Sequence, residues 1–250
     1  MSIIIKSDEE IAAMRQAGRV VALVLQKLRS QIRVGMKTKE LDIMTVGELK
    51  RLGARPSFKG YRGYPAHICT SVNDEIVHGI PGERVLEKGD IVSLDVGAIV
   101  MGFQGDAATT VAVGEISPQA RALLEATEGA LYAGIGAARA EGRLGDISAA
   151  VQSYAEARGF TVVREYTGHG IGRQMHEDPQ VPNFGVAGMG PVLKRGMTLA
   201  LEPMLSAGGY RTRLDPDGWT VRTEDGSLSA HFEHTIAITD GDAEVLTVVR

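Results

Sequence analysis

Two stretches of this chain share one pattern at a constant separation of 107 positions, as 202 is from 95. Lys88-Gly89-Asp90-Ile91-Val92-Ser93-Leu94-Asp95 aligns with Arg195-Gly196-Met197-Thr198-Leu199-Ala200-Leu201-Glu202. In each, an acid stands six residues after a glycine and closes an apolar strand. The next acids correspond too, because Asp106 leads into TTVAV as Glu233 leads into HTIAI. The helical signals upstream also repeat. Ser7 with Glu10 makes a capping box, and Ile11, Met14, Gly18, Val21, Leu25, Leu28 and Ile32 follow at steps of three and four, which predicts an amphipathic helix ending near Gly35. Thr38 is expected to cap a second helix carrying Leu41, Met44, Leu49 and Leu52 and closed by Gly53. Ser117-Pro118 opens a third with Leu123, Leu124, Leu131 and Ile135, and Asp146 is expected to cap a fourth with Ile147, Val151 and Tyr154 before Gly159. Strands dominate between the pairs, to about Val113, and again after the fourth helix. Two helices and a hairpin carrying two acids, twice over, read as a duplication. The expected fold is α+β, one domain over 1–250 with pseudo-twofold halves at about 1–115 and 116–250.

The acids set the chemistry. Asp95 in IVSLDVG, Asp106 in FQGDAATTVAV, Glu202 in TLALEP and Glu233 in HFEHTIAI interrupt apolar strands, and His169 does the same in YTGHGIG. A carboxylate in a buried strand is costly unless a cation meets it, and no lysine or arginine lies in these segments. Any one of the five reads as a satisfied polar residue at a strand end; all five together point to metal. Asp95 and Asp106 flank a hairpin turning near Val100, Met101 and Gly102, and a symmetric turn there sets them directly opposite, with Cβ atoms roughly 4.5–5.5 Å apart. Carboxylates that close repel unless they share a proton or cations. One acid pair per half, around a pseudo-twofold axis, suits two ions.

Hard oxygens with one imidazole favour Mn, Fe, Co or Zn over Ca, Mg or Cu(I). Two such ions roughly 3.5–4 Å apart lower the pKa of a shared water, so hydrolysis is the default reaction class. The glycines around His169 are expected to let the backbone pass close to the ions. GHGIG also follows a strand-like FTVVREY, as a phosphate-cradling loop would, but it lacks the GxGxxG spacing and RQMHEDP is a poor helix start.

Composition excludes other classes. The 250 residues carry a net charge of −4 with both signs interspersed, so no basic stripe awaits nucleic acid. No apolar run approaches the length of a membrane span, and IIIKSDEEIAAM places acids where a signal peptide orders its charged and apolar regions. Cys69 is the single cysteine, which removes internal disulfides and sites built on several thiolates and suits a reducing cytosol.

Over nearly its full length, from GYRGYPAHICTSVNDEIVHGIP through GHGIGRQMHEDPQVPNF to LEPM and HFEHT, the chain resembles the type I methionine aminopeptidases, metallopeptidases of the pita-bread fold. The resemblance implies a central antiparallel sheet with helices on its outer face, and removal of the initiator methionine by a metal-bridged hydroxide that attacks the scissile carbonyl. It implies two divalent ions (Co, Mn, Fe or Zn) on Asp95, Asp106, His169, Glu202 and Glu233, with Glu202 as proton shuttle. His78 in VHGIP would stand near the scissile amide nitrogen and His176 in RQMHEDP near the carbonyl oxygen. Either histidine alone would read as a surface or satisfied core residue.

Tyr61, Tyr64, Cys69 and Trp219 match positions of the methionine pocket, where aromatic and sulfur neighbours suit a thioether. Met175 departs from the pattern, since many relatives carry an aromatic residue there. The 31 positions from Glu202 to Glu233 leave no room for the large insertion of the type II enzymes. The implied partners are N-termini of nascent polypeptides with a small second residue, at the ribosome among other places. The implied setting is a cytoplasmic monomer. The rival readings are a proline-specific dipeptidase or aminopeptidase, which usually carries an additional N-terminal domain, and a non-catalytic pita-bread protein, which tends to lose the ligand set.

Overall fold

The computed structural model describes residues 2–249. Four helices form where the apolar spacing predicts: α1 (Asp8–Gln31), α2 (Thr38–Arg51), α3 (Pro118–Ala137) and α4 (Leu144–Glu156). Ser7 and Glu10 close the capping box of α1, and Ser117 accepts the Ala120 N–H at the start of α3. The other two starts differ from expectation. Lys37, not Thr38, is the cap of α2, and Glu40 accepts the Lys37 N–H; the Thr38 hydroxyl instead accepts the Gly82 N–H at 2.8 Å. In α4, Asp146 sits inside the first turn and accepts the Arg143 N–H from there. An acid three residues into a helix reaches back to the N-cap N–H, whereas a cap side chain accepts an N–H two or three residues on, and aspartate suits both positions, so sequence alone places it ambiguously.

Every strand pairing is antiparallel. In the first half, Ile91–Val100 and Phe103–Ala112 form a long hairpin with α1 laid across it. Its turn is two residues, Met101 (φ 52) and Gly102 (φ 80), the mirror-image type whose twist matches the strands. In the second half, Thr198–Leu201 pairs with His234–Ala237, and α3 and α4 pack against each other behind them. This pair is not a hairpin, as the duplication suggested. Residues 202–233 leave it and return, adding short strands and carrying Trp219 back toward the first half.

Each half has its own apolar core, one around α1, α2 and Ile91–Val100, the other around α3, α4 and Thr198–Leu201. A third cluster, with Met14, Phe58 and Tyr64 from the first half and Ile171, Met175 and Ala200 from the second, lies between them. The halves are also stitched backbone to backbone. Ala108 and Glu233 exchange N–H···O bonds of 3.3 and 2.9 Å, and the Thr235 hydroxyl accepts the Asp106 N–H while donating to the Asp106 carbonyl. These bonds bring one acid from each half to the same place.

Candidate metal centre and adjoining pocket

Asp95 lies in the middle of Ile91–Val100 rather than at its end, and Asp106 lies in Phe103–Ala112. The two are not opposed. The two-residue turn pairs Asp95 with Ala108 and Asp106 with Gly97, a register two positions from the symmetric one. A shift of two keeps side chains on the same face, so the acids become diagonal neighbours whose carboxylates still reach one another. In the second half Leu201 faces His234, which sets Glu202 and Glu233 just beyond the end of that pair.

His169 occupies the centre of Gly168–Gly170, wedged between Thr198–Leu201 and Glu177–Val181. The flanking glycines answer to those strands rather than to the ions. A Cβ on Gly168 would stand 2.4 Å from the Ala200 carbonyl oxygen, and one on Gly170 would stand 2.2 Å from that of Asp178. The His169 Nδ1–H donates to the Gly170 carbonyl at 2.8 Å, leaving a bare Nε2 toward the acids. That Nε2 lies 3.6 Å from Glu202 Oε1 and 4.0 Å from Asp106 Oδ2.

One ligand atom each from Asp106, His169 and Glu233 lies within 4.8 Å of the others. Asp106, His169 and Glu233 are buried, with Asp95 and Glu202 half-buried. Oδ1 of Asp95, Oδ1 of Asp106 and Oε1 of Glu233 have no hydrogen-bond partner among the described residues. Orphaned buried carboxylate oxygens beside a bare imidazole nitrogen fit a divalent cation of the Mn, Fe, Co or Zn type.

The metal-free electrostatics agree. Burial pushes the Asp95 carboxyl up to about 7. Burial, and then the neighbouring acids, hold Asp106, Glu202 and Glu233 well above the usual carboxylate range. Burial lowers His169 to about 4, so it is a neutral ligand at pH 7.

Beside the cluster opens a cavity of about 140 Å³, lined by Tyr61, Tyr64, Cys69, Met175 and Trp219 together with His78, His176 and four of the acids. It is small against the roughly 300–1,000 Å³ of drug-sized sites and suits one side chain. Tyr64 sits edge-on to Trp219, and its hydroxyl is anchored between the Ile68 and Gly79 carbonyls. Cys69 faces Asp95 across the strand pair. Met175 is buried, with its methyl group close to Gly97.

His78 adopts φ 62 and meets the edges of Tyr166 and Trp219; burial lowers it to about 4. His176, partly open to solvent, stacks on Tyr61 and lies 4.2 Å, ring to ring, from His169. All twelve residues singled out in the sequence therefore border one place. Three more belong to it that the sequence did not disclose. Phe58 and Arg62 line the cavity, and His231 stands behind the acids. The signal for His231 was the first imidazole of HFEHT, two residues before an acid already singled out.

The sequence profile of metallopeptidase family M24 matches residues 12–240. The chain is 52% identical to methionine aminopeptidase 1 of Bacillus subtilis over 247 residues, 99% of this chain and all of that one. It is 51% identical to the methionine aminopeptidase of Clostridium acetobutylicum, covering 98% and 99%. The crystal structure of the Thermotoga maritima methionine aminopeptidase superposes with a TM-score of 0.97 at 47% identity, covering 99% and 100%. Prolidase from Pyrococcus furiosus shares the fold at a TM-score of 0.80 and 22% identity, with this chain covering 66% of it.

Proposed function

This chain belongs to metallopeptidase family M24, and from that premise we infer that it is an aminopeptidase that removes N-terminal methionine by metal-dependent hydrolysis. The observation that carries this reading is the adjacency of two features: orphaned acid and imidazole ligand atoms, and a one-side-chain pocket of aromatic and sulfur groups. We assign Asp95, Asp106, His169, Glu202 and Glu233 as ligands of two divalent ions. Four carboxylates balance the charge of two such ions. When bound, they supply a water acidic enough to act as hydroxide at neutral pH and an electrophile for the carbonyl.

The remaining work falls to the chain's own groups. Glu202, whose carboxyl is easily protonated in its buried setting, takes the proton of the nucleophilic water and passes it toward the leaving amine. The Tyr61 hydroxyl lies within hydrogen-bonding distance, 2.8 Å, of His176 Nδ1; with the hydroxyl as donor, the imidazole carries its proton on Nε2. Burial lowers the pKa of His176, so it is a neutral donor at pH 7, aimed at the carbonyl oxygen as negative charge develops there. His78, also neutral, contacts the scissile nitrogen. Tyr61, Tyr64, Cys69, Met175 and Trp219 hold the methionine side chain, and the histidines crowd the next position, so the second residue must be small.

The substrates are N-termini of nascent chains, including those presented at the ribosome, met by a cytoplasmic monomer whose two halves form one catalytic domain. Among the described residues, no helix is long and apolar enough to cross a membrane. The test is release of free methionine from Met-Ala-Ser, with a Xaa-Pro dipeptide alongside and the metal varied. Cleavage of the Xaa-Pro dipeptide in preference to Met-Ala-Ser would replace this reading with a prolidase-like one.

A further inference from the structure

We propose that His231 is a sixth protein donor to the metal centre; the proposal rests on reading the five-residue cluster as a site for divalent ions. The Nε2 of His231 lies 3.7 Å from Glu202 Oε2 and 4.0 Å from Glu233 Oε2. His169 provides an internal yardstick, with Nε2 at 3.6 Å from Glu202 Oε1 and 4.0 Å from Asp106 Oδ2. Each oxygen of Glu202 thus faces one imidazole, and each imidazole reaches a further carboxylate, one from each half of the molecule. An ion holding nitrogen and oxygen at about 2.0–2.2 Å in a tetrahedron keeps those donors about 3.3–3.5 Å apart, close to both sets of distances.

The environment of His231 leaves its Nε2 little else to do. The residue is 2% exposed, and Nε2 has no hydrogen-bond partner among the described residues. A buried polar atom without a partner is costly unless something meets it there. The backbone is held rigidly for the purpose. The His231 N–H donates to Thr110 Oγ1 at 2.9 Å, and that hydroxyl donates back to the His231 carbonyl at 2.8 Å. In the strand pair His231 faces Met204, two residues beyond Glu202, and its Nε2 comes within 3.7 Å of the Glu202 carboxylate. His231 does not border the cavity assigned to methionine, so its ring is free to serve the ions alone.

Proton NMR of the cobalt(II)-loaded full-length protein tests this directly. A coordinated imidazole carries its other ring N–H outside the diamagnetic range. Two such exchangeable signals are expected, from His169 and His231, and His231→Gln should remove one of them. The same variant should lose at least the about 10–100-fold in cobalt affinity, read by calorimetry, that losing an outer partner of a ligand costs. One shifted imidazole in the wild-type protein overturns the proposal even if the variant fails to fold, and reduces His231 to a neighbour of Glu202. Failure of the wild-type protein to take up any cobalt overturns the metal reading itself, a separate result.

Discussion

The hydroxyl of Tyr61 lies 2.8 Å from Nδ1 of His176, and the two rings stack with centroids 5.4 Å apart at an interplanar angle of 21°. The contact fixes the tilt of the imidazole, and with the hydroxyl as donor it keeps the imidazole proton on Nε2. Losing a neutral hydrogen bond of this kind costs about 0.5–1.5 kcal/mol, or roughly 2- to 12-fold in rate. Tyr61→Phe should therefore lower kcat by that factor with metal content unchanged. His176→Ala removes the donor altogether and should cost on the order of 10²–10³ in kcat. Wild-type kcat in His176→Ala would remove this histidine from the mechanism.

Metal loading should depend on the ligands one by one. His169→Ala leaves Asp106 and Glu202 without their shared imidazole neighbour, and Glu202→Gln removes one of four balancing charges. Both variants should lose metal, measured by elemental analysis after gel filtration, together with most activity. Full activity at wild-type metal content in both would refute the ligand assignment.

The metal-free protein should be less stable at higher pH. Burial holds Asp95 up to about 7, and the other three acids higher than their ordinary range, so the folded state keeps protons that the unfolded chain loses near pH 4. Such groups contribute stability at low pH that is lost as pH rises toward and past 7. His78, His169 and His234, lowered to about 4 by burial, act in the opposite sense, but only up to about 6.5, where the unfolded imidazole stops titrating. Above that pH the acids act alone. Tm of the metal-free protein should fall between pH 6.5 and 8, and the stabilisation gained on adding metal should grow over the same range. A Tm that is flat or rising would show that these carboxyls are already ionised in the fold.

Much of this arrangement is legible in the sequence, because buried acids and helical spacing are local signals with one economical explanation. What the sequence conceals depends on geometry between distant segments. The two-residue turn at Met101-Gly102 moves the register of Asp95 and Asp106 by two, and only the positive φ of both residues reveals it. The repeat of acids conceals that one pair is a hairpin and the other is interrupted by residues 202–233. His231 escapes notice because a histidine beside a known acid reads as packing until its distances to Glu202 and Glu233 are known.

Gly168 offers a test of how His169 is positioned. A Cβ there would lie 2.4 Å from the Ala200 carbonyl oxygen, a backbone atom that cannot rotate away. Gly168→Ala should cost roughly 1–3 kcal/mol, as overpacking does, and weaken metal binding by displacing the His169 strand. Denaturant midpoints and calorimetry read the two effects. If neither moves, the narrow gap between the strands is not what positions His169.

Specificity should follow the crowding beside the pocket. Each misplaced methylene in a tight site costs roughly 1–3 kcal/mol, so Met-Lys-Ser should fall several powers of ten below Met-Ala-Ser in kcat/KM. Leu-Ala-Ser should be poor as well, because Tyr64, Cys69 and Met175 line the cavity proposed to take the unbranched methionine thioether. Equal cleavage of all three peptides would make the chain a broad aminopeptidase.

Metal dependence is the claim on which the rest stands, and a single titration addresses it. The protein is stripped with a chelator, dialysed, and supplied with increasing cobalt or manganese while free methionine released from Met-Ala-Ser is measured. The stripped protein should release none, and activity should rise with added metal and saturate by two equivalents per chain. Undiminished methionine release from protein shown to be free of metal would contradict the account.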